Sequence, residues 1–331
     1  MLLLVFGLSI RLTALGEDAT NATARDPGRL LDDGISIQKQ ALAAKTPAEI
    51  AGNYRKAIEQ FRRAAELAPD SYRAHYLWGH AAYGLVLQTT DRVQRQQLLI
   101  KAREQYQTAA GCPGAEWAAS DELGAMLTNE ISLLGAGAAE RRAVLQEAIN
   151  SLKAGYSLAR FSGERATVER DLGVAFLSLA QSSQGLPSER ALYKQAVEKF
   201  ESATKVESEA KTPRIYGLWG VALLELGKAD NDRTFLWQAV DRLQTAIELE
   251  SVTVEMHYNL ACAYALLDQP KMALGQLRIC LENDSNRRYH NTATTDPDLD
   301  NLRRTPEYNQ LFPEESTINP RTIVHPRVSD H

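Results

Sequence analysis

The chain has 331 residues, of which 44% are hydrophobic and 24% charged, and its formal net charge at pH 7 is −5. This composition is typical of an ordinary soluble helical protein, and its three cysteines are too few for a disulfide framework. No basic cluster exceeds a pair or two, which argues against nucleic-acid binding because that activity needs concentrated positive charge.

The first sixteen residues are apolar except for Ser9, Arg11 and Thr13, and a polar stretch follows them. They are too few for a membrane-spanning helix, which needs about 20 apolar residues. They resemble the apolar region of a secretory signal, with Ala14-Leu15-Gly16 as a small-residue cleavage site, although no basic residue precedes them. We therefore expect residues 1–25 to be a signal-like or anchor segment with a linker, in an exported or membrane-associated protein. The alternatives are a misassigned N-terminus or an ordinary N-terminal helix, in a cytoplasmic protein.

A pattern of three residues recurs six times along the chain. Each copy has Ala, then a large apolar residue four positions later, then a small residue three positions after that, so that all three lie on one helical face. The copies are Ala57-Phe61-Ala64, Ala102-Tyr106-Ala109, Ala148-Leu152-Gly155, Ala196-Phe200-Ala203, Ala239-Leu243-Ala246 and Ala273-Leu277-Cys280.

A second signal, a large residue followed by a small one, precedes each copy. Its members are Trp78-Gly79, Leu123-Gly124, Leu172-Gly173, Trp219-Gly220 and Leu260-Ala261, with a weaker first member at Asp33-Gly34. The small residue lets a neighbouring helix approach closely, and the bulky residue fills the space beside it. The two signals together predict a repeated helical hairpin, in which an A helix is followed by a B helix.

The last copy resembles the tetratricopeptide repeat at its usual length. The residues that match this family's packing positions are Leu260, Ala261, Tyr264, Ala273, Leu277 and Cys280 in the last copy, and Ala57, Phe61, Ala64 and Pro69 in the first. The resemblance covers roughly residues 28–284. It implies an all-α fold, a tetratricopeptide-like α-solenoid of about six hairpins.

The spacing of the copies departs from that family. A standard repeat has about 34 residues, but the anchoring alanine recurs at steps of 45, 46, 48 and 43 residues before a final step of 34. Helix-start signals precede the long B helices at Thr46-Pro47-Ala48-Glu49, Thr90-Asp91, Pro187-Ser188-Glu189 and Asn231-Asp232. We therefore predict that five of the six hairpins are lengthened, each helix B by a turn or two.

The repeat array is predicted over residues 26–284, followed by a capping segment over 285–312 and a disordered tail over 313–331. In the capping segment, Asp296-Pro297 and Thr305-Pro306 each place a cap residue before a proline, which signals two short helices. The apolar side chains placed to cover the end of the last hairpin are Leu299, Leu302, Tyr308 and Leu311.

The family resemblance implies that the A helices line a concave groove in which a protein or peptide partner lies. Counting from each large-small pair, the residues expected to face inward are Arg73, Tyr76, His80, Tyr83, Asp121, Ala125, Asn129, Arg170, Val174, Arg214, Val221, Tyr258 and Cys262. Tyr and Arg often anchor interfaces. The predicted partner-binding residues are Arg73, Tyr76, His80, Tyr83, Asp121, Asn129, Arg170, Arg214 and Tyr258. The alternative is that some of these tyrosines fill the seam between adjacent hairpins.

Motifs that indicate an enzyme are missing from the sequence, including GxxxxGK[ST], HExxH, CxxC and GxSxG. Gly135-Ala136-Gly137-Ala138-Ala139 follows a helical pattern rather than a strand and precedes a helix expected to start near Glu140, so it is interpreted as a loop between helices. His75 and His80 are five residues apart and do not converge on a metal as an i, i+4 pair would. Cys262 and Cys280 are interpreted as small hydrophobic residues, and a disulfide between them is left open.

We therefore expect no catalysis, no cofactor and no metal. The sequence predicts a non-enzymatic scaffold or assembly adaptor that binds a protein or peptide partner, with no nucleic-acid partner and at most a membrane tether through the N-terminus. The competing hypotheses are a self-assembling structural protein and an accessory subunit of an enzyme or envelope complex.

Overall fold

The computed structural model describes residues 26–134, 137–206, 212–249 and 254–312. Every regular element in these ranges is helical, which confirms the predicted fold class. None of the described helices combines the length and the apolar character needed to cross a bilayer. The signal-like segment, the predicted tail and residues 135–136 of the predicted loop lie outside the described residues. The chain divides into two compact units, Met1–Leu192 and Tyr193–His331.

The first unit consists of consecutive helical hairpins. Its helices are α1 (Pro27–Ala43), α2 (Pro47–Leu67), α3 (Tyr72–Val86), α4 (Arg92–Gly111), α5 (Trp117–Asn129), the short α6 (Ile131–Leu134), α7 (Ala138–Leu158) and α8 (Ser162–Gln181). Helices α1 and α2, α3 and α4, and α5 and α7 form the hairpins, and each hairpin also packs on the next one along the chain. This neighbour-to-neighbour packing is the arrangement of a solenoid.

The second unit continues the pattern and ends in short helices. It contains α10 (Pro213–Asp230), α11 (Arg233–Leu249), α12 (Val254–Leu266) and α13 (Pro270–Asn283), while α9 (Glu189–Ala203) carries the boundary between the units. After α13 come α14 (Arg288–Ala293), a 3-10 turn (Pro297–Leu299), α15 (Asp300–Arg303) and α16 (Pro306–Leu311). Both short helices signalled by Asp-Pro and Thr-Pro are present, and α14 is an additional one.

The repeated three-residue pattern is the core of the hairpins. In all six copies the Ala and the large residue have no exposed surface, and the third position is also buried. A Cβ added to Gly79 would lie 3.0 Å from the ring of Tyr106, and one added to Gly124 would lie 2.4 Å from Cγ of Leu152. The small residue of helix A therefore makes room for the large residue of helix B in the same hairpin.

Several helix starts follow the chemistry that the sequence signals. The hydroxyl of Thr46 accepts a hydrogen bond from the backbone N–H of Glu49 at 3.3 Å, ahead of α2. The carboxylate of Asp91 accepts one from the N–H of Gln94 at 2.8 Å, ahead of α4. Asn231 ends α10 in the left-handed conformation, with φ 49°. These caps satisfy backbone groups that a helix end leaves without an intrahelical partner.

The prediction that every long hairpin gains its length in helix B is correct for α2, α4 and α7, which have 21, 20 and 21 residues against 14 in α13. It is wrong for the fourth hairpin, whose helix B, α9, has only 15 residues. There the added length lies in helix A, because α8 has 20 residues, and in the connection over residues 182–188. Helix-start signals locate where a helix begins, but they do not show how far the preceding helix continues.

Candidate functional site

Three of the predicted partner-binding residues on α3 are buried in the interior of the first unit and do not face a groove. Tyr76 stacks on Tyr72 with ring centroids 5.7 Å apart, and His80 Nδ1 lies 2.6 Å from Nε2 of Gln38 on α1. Tyr76, His80 and Tyr83 are all buried. His80 thus lies between neighbouring A helices, while Tyr76 also lies against Tyr106 of α4, with ring centroids 6.1 Å apart, so these side chains belong to the interior packing of the unit. Arg73 remains partly exposed, 3.9 Å from Asp32.

A buried polar cluster connects the end of α3 to α4 and the end of α5. Arg95 donates a hydrogen bond to the carboxylate of Glu130 at 2.9 Å. Burial raises the pKa of Glu130 above its usual value, and Arg95 opposes this shift. Burial, and then the nearby charge of Glu130, raises the pKa of Tyr83 as well. The phenol is therefore neutral at physiological pH, and this cluster is part of the packing between hairpins.

The A helices α5 and α8, which contact each other, keep one open face each. The partly exposed positions recur at helical spacing, so they form a stripe along each helix. We call these two stripes together the α5–α8 face, and its residues are Ala118, Glu122, Ala125 and Asn129 on α5 and Thr167, Arg170, Asp171, Val174 and Ser178 on α8. Four of the residues predicted to face inward, Ala125, Asn129, Arg170 and Val174, lie on this face.

Arg170 is held in place on the α5–α8 face. Its Nε and one terminal nitrogen donate to the two carboxylate oxygens of Asp171 at 2.8 and 3.1 Å. Such a two-point pair fixes the direction of the guanidinium. Asp121, one turn before Ala125, is instead fully buried. Of the predicted partner-binding residues in this part of the unit, Asn129 and Arg170 are therefore accessible and Asp121 is not.

The two predicted groove residues of the second unit differ in exposure. Arg214, in the first turn of α10, is exposed. Tyr258, on α12, is buried because the segment that follows the array lies over it. Its hydroxyl donates to the carboxylate of Asp296 at 2.7 Å, and its ring lies 5.0 Å from that of Tyr289. Sequence reasoning missed this cover, because periodicity within α12 carries no information about a contact with a residue 38 positions away.

One group of side chains in the described residues has metal-ligating atoms close together. The ligand atoms of Cys262, Asp296 and Asp298 all lie within 4.8 Å of one another. Protein donors already serve both carboxylates, since Tyr258 donates to Asp296 and the ammonium of Lys228 donates to Asp298 at 2.9 Å. The ammonium of Lys228 therefore already balances part of the negative charge of this group. The geometry fits a polar contact between segments better than a metal site.

The cysteines are all free thiols. Cys262 and Cys280 are buried, and Cys280 takes the small third position of the last repeat copy, as expected for a small hydrophobic residue. Burial, helped by Asp284, raises the pKa of Cys280 to about 12. This thiol is therefore uncharged at neutral pH.

Comparison with known proteins gives a likeness in structure only. No protein-family model and no curated protein sequence matches the chain. Among solved structures, PilF of Pseudomonas aeruginosa is 15% identical, with a TM-score of 0.51 over 87% of this chain and 99% of PilF. MamA of Desulfovibrio magneticus RS-1 is 16% identical, with a TM-score of 0.44 over 62% of this chain and 97% of MamA. YrrB, described as a TPR protein, is 14% identical, with a TM-score of 0.42 over 71% of this chain and 97% of YrrB.

The fold is that of a tetratricopeptide-repeat solenoid. The structural likeness to PilF and the six buried copies of the repeat pattern agree on this point. At 15% identity the likeness concerns the fold, and function has to be argued from the surface of this chain.

Proposed function

We propose that this tetratricopeptide-repeat solenoid is a non-enzymatic scaffold or assembly adaptor that holds a protein or peptide partner on the α5–α8 face. The observation that carries the proposal is the contrast between this face and α3. The stretch of α3 from Gly79 to Val86 is buried throughout, whereas α5 and α8 each keep a continuous partly exposed stripe. Solenoid proteins use such extended surfaces for binding.

The chemistry of the α5–α8 face suits a polypeptide partner. The small side chains Ala118, Ala125 and Ser178 allow a backbone to approach closely. The amide of Asn129 and the guanidinium of Arg170 supply hydrogen-bonding groups, and Arg is among the residue types that most often dominate binding energy. Because Asp171 already orients Arg170, less side-chain entropy is lost when the partner binds.

Site-specific photo-crosslinking tests whether a partner occupies this face. A photoreactive amino acid is placed at Ala125 or Val174 on the face, and at the exposed Gln107 or Gln146 on α4 and α7 as controls. We expect one partner to crosslink at both face positions and at neither control position in cells that express the protein. Equal crosslinking at face and control positions would remove the assignment.

Charge reversal gives a second test with a matched control. Arg170→Glu places a carboxylate beside Asp171 and should reduce the amount of retained partner at least tenfold. Loss of a central interface side chain often lowers the binding free energy by about 2 kcal/mol or more, which weakens the affinity about thirtyfold. Arg141→Glu makes the same change at an exposed position of α7 and should have no effect. Circular dichroism checks that both variants keep their helices. Full retention by a folded Arg170→Glu variant would contradict the proposal.

We also propose that the protein is exported or tethered to a membrane through its N-terminus. The composition of residues 1–16 supports this, because the stretch is mostly apolar and ends in a small-residue site at Ala14-Leu15-Gly16. Cell fractionation of the full chain, compared with a chain that starts at Asp26, tests it. We expect only the full chain to leave the cytoplasm or sediment with membranes.

A further inference from the structure

The inner side of α12 is covered by the protein itself. We call residues 288–312, which comprise α14 to α16, the C-terminal segment. The carboxylate of Asp296 in this segment accepts a hydrogen bond from the hydroxyl of Tyr258, and Cys262 Sγ lies 3.9 Å from the same carboxylate oxygen. Tyr258 and Cys262 were both expected to face a partner groove. The segment therefore occupies the position that a bound partner would take.

The C-terminal segment is held together by its own contacts. The hydroxyl of Tyr308 donates to the carbonyl of Ala293 at 2.8 Å, and the ring of Phe312 lies 4.7 Å from that of Tyr308. Arg303 donates to the carbonyls of Ala293 and Asp296. These contacts lie within the segment, so they are kept if the segment moves as a body.

Polar contacts connect the C-terminal segment to the array. Lys228 on α10 donates to Asp298 at 2.9 Å, and Asn301 donates to the carbonyl of Ala265 on α12 at 2.7 Å. Together with the bond between Tyr258 and Asp296, they place two carboxylates of the segment against an ammonium and a hydroxyl of the array. Groups of this kind are hydrated when they separate, so the net contribution of each polar contact is modest. The apolar side chains Leu299 and Leu302 of the segment are also fully buried and add to the docking.

Lys228 supplies the positive charge in the contact between the C-terminal segment and the array. Burial acts to lower its pKa, but the carboxylates of Glu225 and Asp298 outweigh burial and raise it. The docked arrangement thus favours the charged ammonium, and this stabilisation is fully present at neutral pH, below the ordinary lysine value. Burial raises the pKa of Asp298 above its usual value in spite of Lys228, so the cost of burying this carboxylate offsets part of the gain. Loss of the ammonium would leave Asp296, Asp298 and Glu225 close together without a compensating positive charge.

We propose that the C-terminal segment is a reversible occupant, within the same chain, of a surface on α10 and α12 that binds acidic peptides. Release would expose the ammonium of Lys228, the hydroxyl of Tyr258 and the carbonyl of Ala265. A partner peptide with two carboxylates at the spacing of Asp296 and Asp298 would satisfy the same donors. The proposal rests on the proposed function only in that the chain binds proteins, and its test needs no partner.

Two cysteines of the chain can report release of the C-terminal segment through their reaction with a thiol reagent. Cys262 lies beneath the segment, 2% exposed, while Cys280 is fully buried in the packing of the last hairpin. Burial, and then the charge of Asp296, raises the pKa of Cys262 well above its ordinary value, so the covered thiol is unreactive. Cys280 also lies near Tyr289 of the segment, but its place inside the last hairpin keeps it more protected than Cys262 after local release, whereas unfolding of the array would expose both thiols.

Thiol labelling of the full chain, followed residue by residue by mass spectrometry, measures the release. We expect Cys262 to react faster than Cys280, and Lys228→Gln to accelerate Cys262 about tenfold, the factor that corresponds to 1.4 kcal/mol of docking free energy. Lys271→Gln, at an exposed position of α13, is the matched control and should change neither rate. Equal rates at Cys262 and Cys280 in every variant would show a permanent cap and overturn the proposal.

A peptide with the sequence of residues 294–304 tests the acidic preference. We expect it to bind the full-length Asp296→Ala, Asp298→Ala variant about tenfold more tightly than the wild type, because the competing carboxylates of the chain are gone. Adding Lys228→Gln should abolish this binding. If a peptide with Asn at both Asp positions binds equally well, the surface does not select carboxylates. Because Arg170→Glu lies in the first unit, this outcome is independent of the test of the α5–α8 face.

Discussion

Gly124 shows how one residue sets the distance between two helices. A Cβ at this position would lie 2.4 Å from Cγ of Leu152 and 2.8 Å from the backbone carbonyl oxygen of Ala148. The leucine side chain can rotate, but the carbonyl belongs to α7 and moves only with that helix. The small member of the large-small pair is therefore required by the backbone of the partner helix, which explains why a pattern of small residues is visible in the sequence.

Gly124→Ala should destabilise the protein. Helix propensity favours alanine by about 1 kcal/mol, but overpacking against a backbone atom costs about 2 to 3 kcal/mol. The net loss in the free energy of unfolding should be about 1 to 2 kcal/mol. Gly52→Ala on α2 is the matched control, since nothing lies within 4 Å of its Cβ, and it should gain about 0.5 to 1 kcal/mol. Urea unfolding of both variants measures the difference, and a shift of the same sign in both would contradict this account.

Glu130 makes the stability of the first unit depend on pH. Its pKa is raised above 4.5 chiefly by burial. A carboxyl with a raised pKa in the folded state contributes stability below its unfolded pKa, and that contribution is lost as the pH rises through the folded value. Ionisation of Glu130 as the pH rises above its ordinary pKa therefore costs stability, although Arg95 recovers part of it.

Glu130→Gln should become more stable relative to the wild type as the pH rises from about 4 to 7, because glutamine keeps the acceptor for Arg95 and does not ionise. Urea unfolding at several pH values measures this. The same substitution at the exposed Glu116 controls for the loss of one formal charge. Parallel stability curves for Glu130→Gln and the wild type would show that the buried carboxyl is not responsible.

At the scale of the element, the start of α4 depends on one side chain. Asp91 caps the N–H of Gln94 at 2.8 Å, and its negative charge lies at the positive end of the helix dipole. Asp91→Ala should lower the free energy of unfolding by about 1 kcal/mol, and Asp91→Asn, which keeps the acceptor, should lower it less. Hydrogen exchange at the amide of Gln94 reports the cap directly. Equal protection of this amide in both variants would contradict the assignment.

The repeat register of the helices can be predicted from sequence, and their lengths only partly so. Phe61, Tyr106 and Leu152 are recognisable because their Ala and small neighbours lie on the same helical face, within seven residues. The length of α8 depends on how far a helix continues past its last anchor, and Gly185 and Pro187 show only that it ends before them. Helix propensity is a weak guide to where the helix ends, because tertiary packing determines the last helical residue.

The residues of the candidate site could be predicted only where the exposure of a side chain depends on its position around its own helix and no other element covers it. Asn129 and Arg170 are accessible as expected, because α5 and α8 keep an open stripe. Tyr258 is covered by Asp296, and His80 contacts Gln38, 42 residues earlier. Both burials come from other elements whose positions cannot be inferred from the local pattern.

At the scale of the whole molecule, the exposed large apolar side chains of the described residues are scattered over several helices. The densest group in the described residues is Tyr156, Leu158 and Phe161, which are 37%, 41% and 70% exposed. With about 200 Å² for a large side chain, these three residues offer roughly 300 Å². A specific interface of standard size buries about 800 Å² on each partner. This group alone therefore falls well short of an assembly interface.

The protein should accordingly sediment as a monomer over a wide range of concentration, and Phe161→Ser should leave its sedimentation coefficient unchanged. Sedimentation velocity of the chain from residue 26 onward measures both. Growth in size with concentration that Phe161→Ser reverses would instead favour the self-assembling structural protein. In that case an interface near the start of α8 would have to recruit polar surface as well, since the apolar area available there is less than half of what a standard interface needs.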